Sequence, residues 1–239
     1  MNMDIPLLKK ICELPGAPGF EKPIRDFVIE AVKPFVDELR VDNMGNVFAI
    51  KKGKSSDKKV MVAAHMDEIG FIVTHIDDNG FVRFHTLGGF DAKTLTAQRV
   101  IIHGKKPVIG VMSSKPVHVM TAEERNKVPK TTDYFIDLGM EKEEVEKYIK
   151  VGDPVTRERD LIEMGDCVNS KSIDNRISVY VLIEALKQLK EVPYDVYGVF
   201  TVQEEVGVRG AIVSAHQVNP DFGIALDTTV AFDLPGAQA

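Results

Sequence analysis

Four short stretches of this 239-residue chain end in side chains able to bind cations or move protons. Residues 199–203 run as β-formers into the adjacent carboxylates Glu204 and Glu205, with Gly207 just beyond. Residues 59–64 run into His65-Met66-Asp67-Glu68, and residues 222–226 into Asp227-Thr228-Thr229. Asp174-Asn175-Arg176 opens an apolar helical stretch. Each has an ordinary explanation. A carboxylate pair is favoured near a helix N-terminus by the macrodipole, an Asp before a helix is a good N-cap, and a histidine after a strand is a common loop residue. The recurrence is what departs from the ordinary, because three apolar strands end in acid or histidine. Parallel strands would gather those ends at one edge of a sheet, where ligands bind in open α/β folds. Carboxylates so gathered cannot all stay ionised without a compensating cation. One His with several carboxylates suits zinc, cobalt or manganese, and a carboxylate bridging two ions is a device of paired-metal hydrolases. His-x-Asp supplies both a ligand and a carboxylate to orient it, and one Glu of the pair is left free as a base.

The elements that must position these groups follow from periodicity. Residues 5–14 and 24–35 carry helical apolar spacing, separated by Pro15-Gly16-Ala17-Pro18-Gly19, with Pro23 near the second start. Strands near 39–41 and 47–50 read as a hairpin turned by Asp42-Asn43-Met44-Gly45-Asn46. The lysine-rich stretch 51–59 reads as a solvated loop. Between residues 70 and 164 the pattern changes to short β runs at 71–76, 81–85, 99–103 and 108–112, with one charged helix at 141–150, which predicts a small β-barrel or sandwich. His75, His85, His103 and His118 in this part share no spacing. After Asp174 the stripe Ile177, Val181, Leu182, Ala185, Leu186 and Leu189 is expected to face a core, and a short helix is expected at 207–215. The expected fold is α/β: a mixed sheet flanked by helices, interrupted by an inserted β-barrel-like domain. Residues 1–69 and 165–239 form the discontinuous α/β part, and residues 70–164 the insertion.

Composition narrows the class. With 44% hydrophobic and 28% charged residues and a net charge of -6, the chain suits a soluble globular protein and lacks the basic excess that a phosphate backbone demands. Neither a nucleic acid nor a membrane is an expected partner. The start, Met1-Asn2-Met3-Asp4, lacks the basic-then-apolar order of a secretory signal, so a cytoplasmic location is expected. Cys12 and Cys167 form no Cys-x-x-Cys pattern and read as reduced core thiols.

The motifs 64–70 (Ala-His-Met-Asp-Glu-Ile-Gly), 173–176 (Ile-Asp-Asn-Arg), 202–207 (Val-Gln-Glu-Glu-Val-Gly) and 225–227 (Ala-Leu-Asp) resemble, in order and spacing, the tetrahedral (TET) aminopeptidases. These are two-metal peptidases that include glutamyl and deblocking aminopeptidases, with some members labelled cellulases. The resemblance covers essentially the whole chain. It implies a zinc-peptidase type of α/β fold and two divalent ions, zinc or cobalt. His65 and Asp227 would hold one ion, and Asp174 would bridge to a second held by Glu205. Glu204 would be the general base and Asp67 the carboxylate that orients His65. It further implies peptide substrates cleaved at the N-terminus, and a homo-oligomer, from dimer to dodecamer, built partly by the inserted domain.

Members of that family continue past the position where this sequence stops and there supply a further histidine ligand. His216 precedes Asp227 on an expected helix and reads as a surface residue. The chain is therefore expected to be C-terminally truncated, with weak or no activity by itself. Two alternatives stay open: an endoglucanase-type glycoside hydrolase using the carboxylates, and a non-catalytic assembly subunit. The absence of Trp and an aromatic content of 7% argue against the first, as does the adjacency of Glu204 and Glu205, which a glycosidic bond needs on opposite sides.

Overall fold

The computed structural model describes residues 3–233, 235 and 236. Helix α1 (Ile5–Glu13) starts where Asp4 Oδ1 accepts Leu7 N at 3.0 Å, and it buries Leu8, Ile11 and Cys12 at helical spacing. Helix α2 (Lys22–Val32) carries Pro23 in its first turn and buries Ile24, Val28 and Val32. Strands β1 (Glu38–Val41) and β2 (Val47–Lys51) form the expected hairpin, with Val41 opposite Val47. Strand β3 (Ser55–His65) starts earlier than hydropathy indicates, since its first four residues are exposed.

A second sheet closes on itself. Strands β4 (Gly70–Ile76), β5 (Val82–Leu87), β6 (Arg99–His103), β7 (Pro107–Ser113), β8 (Phe135–Asp137) and β9 (Pro154–Arg157) form a barrel in the order β4-β5-β8-β7-β6-β9. Helix α3 (Ala122–Arg125) lies between β7 and β8, and α4 (Lys142–Tyr148) between β8 and β9. The barrel core is built on Phe71, Val73, Val82, Val100, Ile102, Met112, Ile136 and Val155. Closure depends on β8 and β9, three and four residues long. Neither is visible in the sequence, because segments so short show no period.

The chain leaves the barrel through the hairpin of β10 (Ile162–Met164) and β11 (Cys167–Asn169), also unexpected from sequence. It then re-enters the first sheet through α5 (Ile173–Gln188), β12 (Tyr194–Thr201), α6 (Arg209–Val218) and β13 (Phe222–Ala225). That sheet has the order β1-β2-β12-β3-β13 and is mixed: β12 runs antiparallel to β2 and parallel to β3, and β13 runs parallel to β3. Alternation along β2 sends Val47 and Ala49 into the larger core with α1, α2 and α5. It sends Phe48 and Ile50 into a smaller core with Met61, Val199 and Val218 of α6. Helices therefore cover both faces.

Two expectations need correction. Of the expected α5 stripe, Leu182 and Leu186 are buried and Ile177 and Leu189 pack against the same core, together with Val179 and Ile183, whereas Val181 is 45% exposed and Ala185 is also exposed. This helix is apolar on more than one side, so its phase is set by packing on α1, α2 and β3 and not by a single stripe. Cys12 is a buried thiol as expected, but Cys167 is exposed on the β10–β11 hairpin, and both are unpaired.

Candidate active site

Register alone brings the chemistry together. Thr201 at the end of β12 lies opposite His65 at the end of β3, so Glu204 and Glu205 follow just beyond that edge. On the other side of β3, Ala225 pairs with Ala63, and Asp227 therefore comes level with His65. Asp174 arrives from the start of α5. It does not cap that helix: Asp174 and Asn175 have non-helical backbone angles and Ser172 occupies the cap position. The carboxylate is thus available to the site, and the Asn175 side chain donates to Leu226 O at 2.8 Å, tying this segment to the end of β13.

His65 is the centre. Its imidazole is buried, with Nδ1 at 3.3 Å from Asp67 Oδ1 and 3.2 Å from Asp67 O. Nε2 faces three other carboxylates: Asp174 Oδ1 at 3.3 Å, Glu204 Oε2 at 3.7 Å and Asp227 Oδ1 at 3.8 Å. Ligand atoms of His65, Asp174 and Glu205 all lie within 4.8 Å of one another. The structure therefore brings His65, Asp67, Asp174, Glu204, Glu205 and Asp227 into one constellation. His216 is exposed on α6, away from this edge.

Electrostatics at the site reflect crowding. Burial pushes the His65 imidazole down, but the carboxylates of Asp174, Asp67 and Glu204 outweigh it and raise its pKa to about 10. Asp174 is held below the usual carboxylate range, first by its hydrogen bond to His65, against partial burial. Glu205 is pushed up to about 7 by burial and then by the charges of Asp174, Asp67 and Glu204, with His65 opposing. Glu204 is raised for the same reasons, burial first. A site that holds one imidazole as a cation and lifts two glutamates is short of positive charge. The donor set of one imidazole nitrogen and several carboxylate oxygens at mutual reach fits a divalent metal ion.

Sequence reading missed the groups that hold this edge in place. Glu68 is fully buried and pairs with the Lys171 ammonium and, at 3.8 Å, with Arg176 Nη2. Arg176 also donates to the carbonyls of Ile11 and Leu14 at the end of α1. This brace joins the residue after Asp67 to the residues flanking Asp174. Burial lowers the pKa of Lys171, with Glu68 opposing. Gly16 permits the approach, because a Cβ there would lie 2.6 Å from Arg176 Nη2. The sequence signal was present in Glu68 and Arg176, each beside a recognised motif residue, but nothing in it paired the two.

A buried imidazole among converging carboxylates, at the C-terminal edge of a helix-flanked mixed sheet with a barrel beside it, defines an α/β metallohydrolase. The sequence profile of M42 glutamyl aminopeptidases matches residues 45–239. A putative aminopeptidase of Acetivibrio thermocellus is 44% identical over 230 residues, 96% of this chain and 67% of that protein. Among solved structures, an aminopeptidase from Desulfurococcus kamchatkensis superposes with a TM-score of 0.93 at 43% identity, over 98% of this chain and 65% of that one. The TET1 peptidase of Pyrococcus horikoshii, which assembles into a tetrahedron or a large octahedral shell, superposes with a TM-score of 0.86 at 33% identity, over 96% and 72%. The chain belongs to the M42 glutamyl aminopeptidase family, a family of metal-dependent peptide hydrolases. It spans about two thirds of the length of these relatives.

Proposed function

We propose that this chain carries the catalytic centre of an aminopeptidase that removes N-terminal residues from peptides with two divalent ions. The observation that carries the reading is His65 Nε2 facing Asp174, Glu204 and Asp227 within 3.8 Å, with Glu205 in the same cluster. His65 and Asp227 would hold one ion, Glu205 the other, and Asp174 would lie between them. When bound, such ions polarise a scissile carbonyl and lower the pKa of an attacking water. Glu204 would act as general base toward that water and as general acid toward the leaving amine, a role suited to a carboxylate whose pKa is raised, first by burial. Asp67 fixes the His65 ring through Nδ1, so that Nε2 is presented to the site.

We further propose that residues 1–69 and 165–239 form the catalytic domain and residues 70–164 an inserted domain that contributes to homo-oligomer assembly. The closed barrel with its own core and the shells formed by the P. horikoshii relative support this division. Among the described residues no helix is long and apolar enough to cross a membrane. The two unpaired thiols suit a reducing compartment such as the cytoplasm. The glycosidase alternative loses ground structurally, since Glu204 and Glu205 both hang by their backbone N–H groups from the one carboxylate of Asp67.

The test is zinc and cobalt content after gel filtration, together with hydrolysis of a panel of aminoacyl substrates, for the wild type and Glu204→Gln. Metal in both is the expected result, with whatever turnover the wild type shows lost in the variant. Metal in neither would overturn the reading in favour of a non-catalytic assembly subunit.

A further inference from the structure

Beyond the end of β12 the chain makes a turn that no strand partner holds. Four consecutive backbone N–H groups in it donate instead to side chains. Val202 N donates to Asn46 Oδ1 at 3.0 Å and Gln203 N to Glu21 Oε1 at 3.2 Å. Glu204 N donates to Asp67 Oδ1 at 3.0 Å and Glu205 N to Asp67 Oδ2 at 3.1 Å. Asn46 and Asp67 are 0% and Glu21 2% exposed. The carbonyl side is equally tied: Val202 O accepts Gly210 N, Gln203 O accepts Arg209 N, and Glu204 O accepts Gly207 N and Val208 N. Gln203 sits at a φ of 54°, a left-handed conformation that a non-glycine residue keeps only when its surroundings fix it.

The acceptors are themselves fixed. Asp42 Oδ2 accepts the Asn46 amide at 2.8 Å, so Asn46 Oδ1 is the end turned to Val202. Asp42 Oδ1 accepts the backbone N–H groups of Met44, Gly45 and Asn46. Glu21 Oε1 also accepts Gly19 N at 2.8 Å, which links the loop before α2 to the turn. Gly210 lets α6 start against this arrangement, since a Cβ there would lie 2.4 Å from Asn46 Oδ1.

We propose that Glu21 and Asn46 are positioning residues of the hydrolytic reaction, setting the backbone from which Glu204 and Glu205 project. The inference rests on the metallopeptidase reading above. Among the described residues, neither side chain hydrogen-bonds to a side chain of the cluster around His65. Each acts through one amide of the turn, and misplacement of a reacting group by about 1 Å costs on the order of a hundredfold in rate.

The experiment is amide hydrogen exchange by NMR on the wild type, Glu21→Ala, Glu21→Gln and Asn46→Ala, with zinc affinity measured on the same samples by competition with a chromophoric chelator. In the wild type the amides of residues 202–205 should be protected although none lies in a helix or strand ladder. Glu21→Ala should speed exchange at Gln203 about tenfold, the loss of one buried hydrogen bond. It should also weaken zinc binding about ten- to a hundredfold, as the loss of outer support does in metal sites. Glu21→Gln, which keeps the acceptor oxygen, should recover both, and Asn46→Ala should act first at Val202. Unprotected wild-type amides would overturn the proposal without any variant, and so would a Glu21→Gln as impaired as Glu21→Ala. Protected amides in a wild type that takes up no zinc would overturn the metallopeptidase reading and the positioning role with it, while the exchange data would show that the turn itself is held as described.

Discussion

At the level of single residues, the site is a competition between protons and cations for the same atoms. In the metal-free state His65 is an imidazolium through neutral pH and Glu205 titrates near 7, so the ion held by His65 has to displace a proton from the imidazole and the ion held by Glu205 one from that carboxylate. The sign follows: affinity rises with pH, with close to one proton released at the His65 ion around pH 8 and a further one at the Glu205 ion toward pH 6. Calorimetry of zinc binding in buffers of different ionisation enthalpy measures this, and a proton-neutral binding event would contradict it. The same two groups set the stability of chelator-treated protein. Both folded pKa values are raised above their unfolded ones, so the native state holds more protons than the unfolded state. The Glu205 contribution is present below about pH 4.5 and lost as pH rises through about 7, and that of His65 is present below about 6.5 and lost through about 10. Thermal melts in excess chelator should therefore show Tm falling steadily from pH 6 to pH 9. Glu204→Gln should leave zinc bound while lowering kcat by at least about a hundredfold, since it removes the general base without removing a ligand.

Elements meet at this edge through buried charge as well as through the sheet. Glu68 follows β3, and Lys171 and Arg176 flank the entry to α5, so their ion pairs lock β3 to α5 and, through the carbonyls of Ile11 and Leu14, to α1. Glu68→Ala would leave two buried cations without their partner, and a loss of about 3–5 kcal/mol is expected from urea unfolding. A Lys171→Met change should cost less, because Arg176 still faces the carboxylate. Much of this edge was legible in the sequence. The apolar runs before His65, Glu204 and Asp227 are long enough to read as strands, and their shared polar endings pointed to the candidate site. The brace was not legible, since Glu68 and Arg176 lie 108 positions apart and only the fold pairs them. Nor were β8 and β9, whose few residues acquire strand geometry from barrel closure. The α5 stripe was misread at Val181 and Ala185 for a related reason: Val181 and Val179 are equally apolar, and contact with α1 and α2 decides which of them is buried.

At the scale of the molecule, the sheet formed by the described residues has one well-blunted edge and one exposed edge. At one end β1 is short and carries Glu38 and Arg40. At the other, β13 pairs only with β3 among the described residues, and all four of its residues are exposed. Phe222 and Ile224 are 55% and 51% exposed, and Val230 and Phe232 follow with 58% and 62%. Lys58 lies over the Phe222 ring at 5.8 Å. Unpaired backbone N–H and C=O groups beside large apolar side chains form a template for strand addition, and soluble chains seldom leave several large apolar side chains exposed on an edge strand and the residues that follow it. The 239-residue chain should therefore self-associate through β13, separately from any assembly built on the barrel. Sedimentation velocity over a concentration series would detect it. Ile224→Lys should reduce the association by placing a charge on the edge strand, and Val111→Lys, on an exposed position of the barrel, should leave it unchanged. Equal association in the wild type and Ile224→Lys would show that β13 is not the contact and would direct attention to the barrel.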